Sequence, residues 1–222
     1  MDLGKLLATL RASRAGAPLG DVMMMKLDAL SAPSTTVTRR LEALRGYAPE
    51  HDLAALRGLP AGTLGKAYAG FLDESGIAPL VVSARMRERF RDTPYALRYT
   101  ATHDLHHVLT GFDAGLAGEI GVLAFTVGQG SAPVGKALLW LARVIYAIAS
   151  PTQARRIWHN AGVGLGMGRA AALVIAEPIE SWFEAPLEEA RRRLRIPDPR
   201  EAGVRPSGSS LIGRLVYPGR AG

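Results

Sequence analysis

Between Ala114 and Ala154 the chain carries only three charged side chains, Glu119, Lys136 and Arg143. Helices this apolar do not suit a surface position, where one face must be polar. Nor do they suit a membrane span, because no window reaches the ~18 uninterrupted apolar residues such a span requires. Gly128, Gly130 and Pro133 also divide the segment in two. Two readings remain: core helices of an all-α domain, or the walls of a tunnel sized for a lipid.

The rest of the sequence agrees with an all-α fold. Val and Ile fall mostly inside Ala/Leu-rich segments of helical period, and "PLVVSA" near Leu80 is a short strand-like run. The pattern predicts helices over 3–13, 22–31, 35–46, 63–75, 83–91, 95–110, 114–128, 134–149, 152–176 and 179–194, with prolines at their joints. In "LPAGTLGKAYAGFLDESG", Thr63 reads as an N-cap and Gly76 as a stop. Leu64, Ala67, Tyr68, Phe71 and Leu72 form the apolar stripe between them. "GVGLGMGRA", from Gly162 to Ala170, has no correctly placed G-x-G-x-x-G and no strand before it. Its alternating glycines imply close helix approach or a flexible connection. With 222 residues, the expected organisation is one all-α domain over 1–202 and a flexible basic tail over 203–222.

The formal charge is +7, but it is unevenly placed: from Arg191 onward there are eight Lys or Arg and two Asp or Glu, so this end supplies +6. Cations at a helix C-terminus are favourable in themselves, and a basic end is also attracted to anionic lipid head groups. Without interleaved aromatics or a reading motif, nucleic acid is not an expected partner. The chain has no cysteine, which excludes thiolate metal sites, a cysteine nucleophile and a disulfide framework. The start lacks the apolar stretch and small-residue cleavage pattern of a secretion signal, so a cytoplasmic protein is expected.

Against this apolar background, "THDLHHVLTGFDAGLAGE" holds three of the five histidines. On a helix over 95–110, His103 and His107 lie roughly 40° apart around the axis and Asp104 roughly 100° from His103. His106 falls roughly 60° to the other side of His103. The "TGFDAG" turn can reverse the chain and bring Glu119 back toward the first helix. Two imidazoles and two carboxylates suit Zn²⁺, or Fe²⁺ or Mn²⁺ with added waters. The alternative is an exposed, hydrogen-bonded helix face with no metal. A peptidase is disfavoured because Asp stands where H-E-x-x-H needs its general base, and a di-iron carboxylate bundle because only one half of its motif is present.

H-D-x-x-H followed by eleven residues and Glu resembles the signature of the coenzyme Q biosynthesis protein 4 family of the ubiquinone pathway. "DLAALRGLPAGTLGKAYAGFLDE" upstream, Arg98-Tyr99, and "EPIESWFEAPLEEARRRLRIPDP" downstream are similar to that family as well, over about 52–200. Where the family continues after the Glu with a Lys and a Phe-Glu pair, this chain has Leu123, Phe125 and Thr126. The resemblance implies a metal-supported site for a polyprenylated hydroxybenzoate and loss of the ring carboxylate at carbon 1 with hydroxylation there. It implies His103, Asp104, His107 and Glu119 as metal ligands and catalytic groups, with Arg98 a further candidate for pairing the substrate carboxylate. Leu116, Ile120, Leu123, Ala124, Val127, Leu138, Leu141 and Ile145 are the expected tail-binding residues. Expected partners are prenylated quinone precursors, other ubiquinone-pathway enzymes, the inner-membrane surface, where the protein would sit peripherally, and a second copy as a homodimer. A non-catalytic prenyl-lipid scaffold and a metal-dependent hydrolase are the rival functions.

Overall fold

A helix whose residues are nearly all buried organises the molecule, and its two ends are written in the sequence. The structure, a computed structural model, describes residues 2–30, 33–131 and 135–208. In chain order the helices are α1 (Leu3–Arg14), α2 (Leu19–Leu30), α3 (Thr35–Leu41), α4 (Leu53–Gly58), α5 (Leu64–Ser75) and α6 (Ala84–Arg89). They continue with α7 (Pro94–Thr110), α8 (Leu116–Gly128), α9 (Lys136–Ala149), α10 (Ala154–Ala170) and α11 (Leu187–Arg193). Pro94 opens the central helix α7, where its missing N–H costs nothing, and Gly111 closes it at φ 73°. Of its residues only Ala101 and His103 are not fully buried.

The domain is all-α, as expected. Among the described residues the one β-type contact is an isolated bridge between Thr63 and Pro186. Thr63 does cap α5, accepting from Lys66 N at 3.3 Å, and Gly76 ends it at φ 63°. "PLVVSA" is not a strand: Ser83 leaves extended backbone to cap α6, and both its N–H and its hydroxyl donate to Asp21 of α2. Three other boundaries differ from expectation. Asp52 caps a short helix, α4, that the periodicity missed because six residues give too few repeats. α10 stops at Ala170 because Ala172 donates to Leu194 O at 2.7 Å and its carbonyl accepts from Gln129. The expected helix over 179–194 divides into a turn at Ile179–Trp182 and α11, with Pro186 between them unable to donate to a helix ladder.

Three apolar clusters hold the fold. One joins α4, α5, α11 and the C-terminal half of α7, through Leu64, Tyr68, Leu105, Leu109 and Phe112. A second joins α2 and α3 to the N-terminal half of α7, through Met24, Leu41, Phe90, Tyr95 and Leu97. The third joins α8, α9 and α10, through Ile120, Ala124, Leu139, Ile157 and Ala161. Here the glycines matter. A Cβ on Gly164 would fall on the carbonyl oxygen of Gly121, one on Gly168 on that of Phe125, and one on Gly128 on that of Leu165. The two helices therefore meet backbone to backbone, and close approach is the outcome of the glycine pattern. Among the described residues no helix is long and apolar enough to cross a membrane.

The start of the expected mobile tail is strapped down. Asn160 donates to Arg205 O at 2.8 Å and accepts from Arg205 N at 3.1 Å, while His159 meets Gly203 O at 2.8 Å. Ser207 is 2 % exposed. Hydrogen bonds to His159 and Asn160 of α10, to Gln153 and to Asp113 thus hold residues 203–208; residues 209–222 lie outside the described residues.

Candidate metal centre

α7 and α8 are joined by a turn that begins at the left-handed Gly111 and is shaped by Asp113, which accepts from Gly115 N at 3.0 Å. This reversal places Glu119, in the first turn of α8, opposite the histidines of α7. Glu119 Oε1 lies 3.6 Å from His107 Nε2, and Oε2 lies 3.7 Å from His103 Nε2. One donor atom from each of the three lies within 4.8 Å of the others. Donors bound tetrahedrally at ~2.1 Å would stand roughly 3.4 Å apart, so the spacing fits a divalent ion with little movement.

The imidazoles are already oriented for such an ion. His107 Nδ1 lies 3.0 Å from the carbonyl of Phe112, so its N–H donates there and Nε2 is turned toward Glu119. His103 Nδ1 faces Asp104 Oδ1 at 3.4 Å. Asp104 is therefore set beside a ligand rather than among the three: roughly 100° around the helix from His103, its carboxylate reaches the outer nitrogen of that ring. His106 is turned away from the cluster, as its angle on α7 requires. It is 1 % exposed and bonds Thr102 O at 2.7 Å, and burial drives its pKa down to about 3, so it stays neutral.

Charge is balanced within the cluster. Burial alone would raise the Glu119 carboxyl, but His107, His103 and, on α2, Lys26 outweigh it and hold it at about 2. Burial alone would lower His107, but Glu119 reverses this and its pKa is raised. A divalent ion held here would compete with a proton for His107, so its binding would weaken as pH falls.

Two apolar cavities meet at the cluster. One, of ≈ 290 Å³, runs along Leu27, Leu30, Tyr95, Leu123 and Leu138; the other, of ≈ 480 Å³, runs along Leu19, Ile77, Leu80 and Leu116. Met23, Lys26, His103, Glu119, Ile145 and Tyr146 belong to both. Of the expected tail-binding residues, Leu116, Leu123, Leu138 and Ile145 thus line the cavities. Ile120 and Ala124 face α10 instead and are fully buried, Val127 packs on the same cluster, and Leu141 lies 45 % exposed on the outside of α9. The glycine-rich seam decides this, because it claims the 120–124–127 face of α8 and leaves 116–119–123 to the cavity.

Arg98 is placed elsewhere. Five residues before His103, it points roughly 140° away around the helix. It is fully buried, its head group pairs with Glu180 at 2.5 Å and 3.1 Å, and its other N–H groups reach Tyr47 O, Ile175 O and Glu177 O. Its five donors are all engaged, so it serves to clamp the 174–182 segment to α7. Sequence reasoning did not supply Glu180 as its partner, and it missed the contributions of Met23, Lys26 and Tyr146 to the site. The only signal for α2 was its apolar "VMMMKL" run.

The comparisons with known proteins point one way. Residues 45–200 match the family described as coenzyme Q (ubiquinone) biosynthesis protein Coq4. The chain belongs to this family. It is 32 % identical over 155 residues to the mitochondrial ubiquinone biosynthesis protein COQ4 homolog of Danio rerio, covering 67 % of this chain and 54 % of that one. The corresponding protein of Yarrowia lipolytica is 29 % identical over 154 residues, covering 67 % and 56 %. The chain thus spans about half the length of the curated relatives it matches. A solved structure from Nostoc punctiforme, of a protein assigned to ubiquinone biosynthesis, superimposes with a TM-score of 0.62 at 24 % identity, covering 88 % of this chain and 97 % of that one. At that identity the likeness concerns the fold.

Proposed function

We propose that this Coq4-family chain acts in ubiquinone biosynthesis on a polyprenylated hydroxybenzoate, releasing the ring carboxylate as carbon dioxide while a hydroxyl takes its place. Dioxygen is the two-electron oxidant: the ring acid, dioxygen and water give the phenol, carbon dioxide and hydrogen peroxide. One observation carries the reading: His103, His107 and Glu119 converge where two apolar cavities meet. A polar ring needs such ligands while its tail needs such walls, and each tail CH₂ buried contributes ~0.8 kcal/mol. His103, His107 and Glu119 would hold a divalent ion, Zn²⁺ by donor type, which supplies Lewis-acid stabilisation of charge on the ring oxygens. Asp104 orients His103, and the Phe112 carbonyl orients His107. Leu123, Leu138 and Ile145 exclude water from the tail.

The same chain meets the membrane through the outer side of α9, where Trp140, Leu141 and Ile148 are exposed. That placement gives access to prenylated precursors and to the other enzymes of the pathway, in the cytoplasm at the inner-membrane surface, as a homodimer.

Carbon dioxide release from a carboxyl-labelled prenylated 4-hydroxybenzoate, measured beside lipid retention, tests the proposal. His107→Ala and Glu119→Ala should cut release by ~10²–10³-fold and keep the lipid. Leu123→Trp should lose the lipid first. Full release from the ligand variants would make the protein a lipid-presenting scaffold, the reading that the exposed face of α9 favours.

A further inference from the structure

A carboxylated ring at this site faces a difficulty. Glu119 and Asp104 both present carboxylates to the larger cavity, and like charges at short range repel. An anionic head group would gain from a cation in the wall beyond any ion held by His103, His107 and Glu119, and Arg98 is sealed against Glu180 with no donor to spare.

Among the residues lining the two cavities there is one Lys or Arg, Lys26, and it lines both. It sits on the face of α2 formed by Met23, Leu27 and Leu30, at i, i+3, i+4 and i+7 spacing, which is the wall of the smaller cavity. Its side chain is exposed, as expected of a lysine whose stem runs along apolar surface while its ammonium stays at the mouth. Among the described residues no hydrogen bond or ion pair engages that ammonium. Two other lysines are engaged: Lys5 pairs with Asp28 at 3.1 Å, which removes the carboxylate two positions from Lys26, and Lys66 donates to Arg57 O at 2.6 Å.

We propose that Lys26 is the anion-recognition residue of the site, pairing with the carboxylate of an apolar-tailed ring acid at the cavity mouth. The inference rests on the substrate reading above and deepens it. Lys26 selects the carboxylated lipid over its decarboxylated counterpart, so loss of the carboxylate removes the contact that holds the substrate and favours exchange. Helix α2 precedes the 45–200 segment shared with the family, so this selection is supplied by the part of the chain outside that match.

The test is equilibrium binding of a short-tailed 3-prenyl-4-hydroxybenzoate and of the matching 2-prenylphenol to the full chain in detergent. The wild type should prefer the acid by ~10-fold, the scale of one half-exposed charged contact. Lys26→Met should weaken the acid ~10-fold and change the phenol by less than twofold. Lys26→Arg should restore most of the preference, and unchanged melting of both variants is expected for an exposed side chain. A Lys26→Met protein that keeps the full preference overturns the role of Lys26 alone. A wild type that binds neither ligand overturns the substrate reading, and the inference with it.

Discussion

Helices α8 and α9 are the two most apolar of the chain, yet they are used in opposite ways. α8 is pinned between α7 and α10, with Gly121, Ala124, Phe125 and Gly128 against the glycines of α10. α9 buries only Leu139 fully and leaves Ile148 74 % exposed. Total hydrophobicity does not separate them. What separates them is side-chain size and placement: the small residues of α8 let α10 close to backbone contact, whereas α9 carries Trp140, Leu141 and Ile148 on an exposed outer side. One wall of the site is therefore rigid, and the other is loosely covered.

The seam should break hardest. Gly164→Val and Gly168→Val each place a branched side chain against a carbonyl of α8 and should cost about 3 kcal/mol, the upper range for overpacking. On the same helix nothing stands within 4 Å of a Cβ at Gly162 or Gly166, so Ala there should stabilise by about 0.5–1 kcal/mol through helix propensity. Urea unfolding midpoints at constant slope decide it; equal effects at the two pairs of sites would refute the rigid seam.

A smaller effect is expected where α8 begins. Its N-cap, Gly115, has no side chain, and the hydroxyl of Ser207 accepts from Gly118 N at 2.9 Å while donating to Asp113. Ser207→Ala should cost about 1 kcal/mol, as cap removals do, and should weaken Zn²⁺ binding in a chelator competition because Glu119 follows the capped residue directly. Lower stability with unchanged metal affinity would show that the strap supports the fold without positioning the carboxylate.

The smallest change belongs to α9. Ile148→Ser should alter stability by less than about 0.5 kcal/mol, as exposed sites do, while reducing retention on anionic phosphatidylglycerol vesicles. A loss of more than 1 kcal/mol in the absence of vesicles would mean that this face is already covered, and the contrast with α8 would fail.

The legible part of this molecule was what repeats or touches its own neighbours. Thr63 and Gly76 bounded α5 because caps act within one turn, and the 103–107–119 spacing brought two imidazoles and a carboxylate together because a helix and a tight turn carry their own geometry. The illegible part depended on partners far along the chain. Ile120 and Leu123 are equally apolar, and only the approach of Gly164 and Gly168 assigns one to the seam and the other to the cavity. Arg98 could not be told from a substrate-binding arginine until Glu180, 82 residues away, was seen to take it. Lys26, which lines both cavities, and Ser207, which caps α8, both lie outside the 45–200 segment that carries the family pattern.

The cap on α8 also sets a schedule. Ser207 lies 89 residues beyond the amide that it receives. At ~5–20 residues per second, translation reaches it about 4–18 s after that amide has been made. Through this interval both histidines exist on a nascent α7, but the turn carrying their carboxylate partner has no cap. The cluster is thus completed well after its own residues have been made, and a chain truncated at residue 200 would carry His103, His107 and Glu119 and still lack the hydroxyl that caps the helix of Glu119.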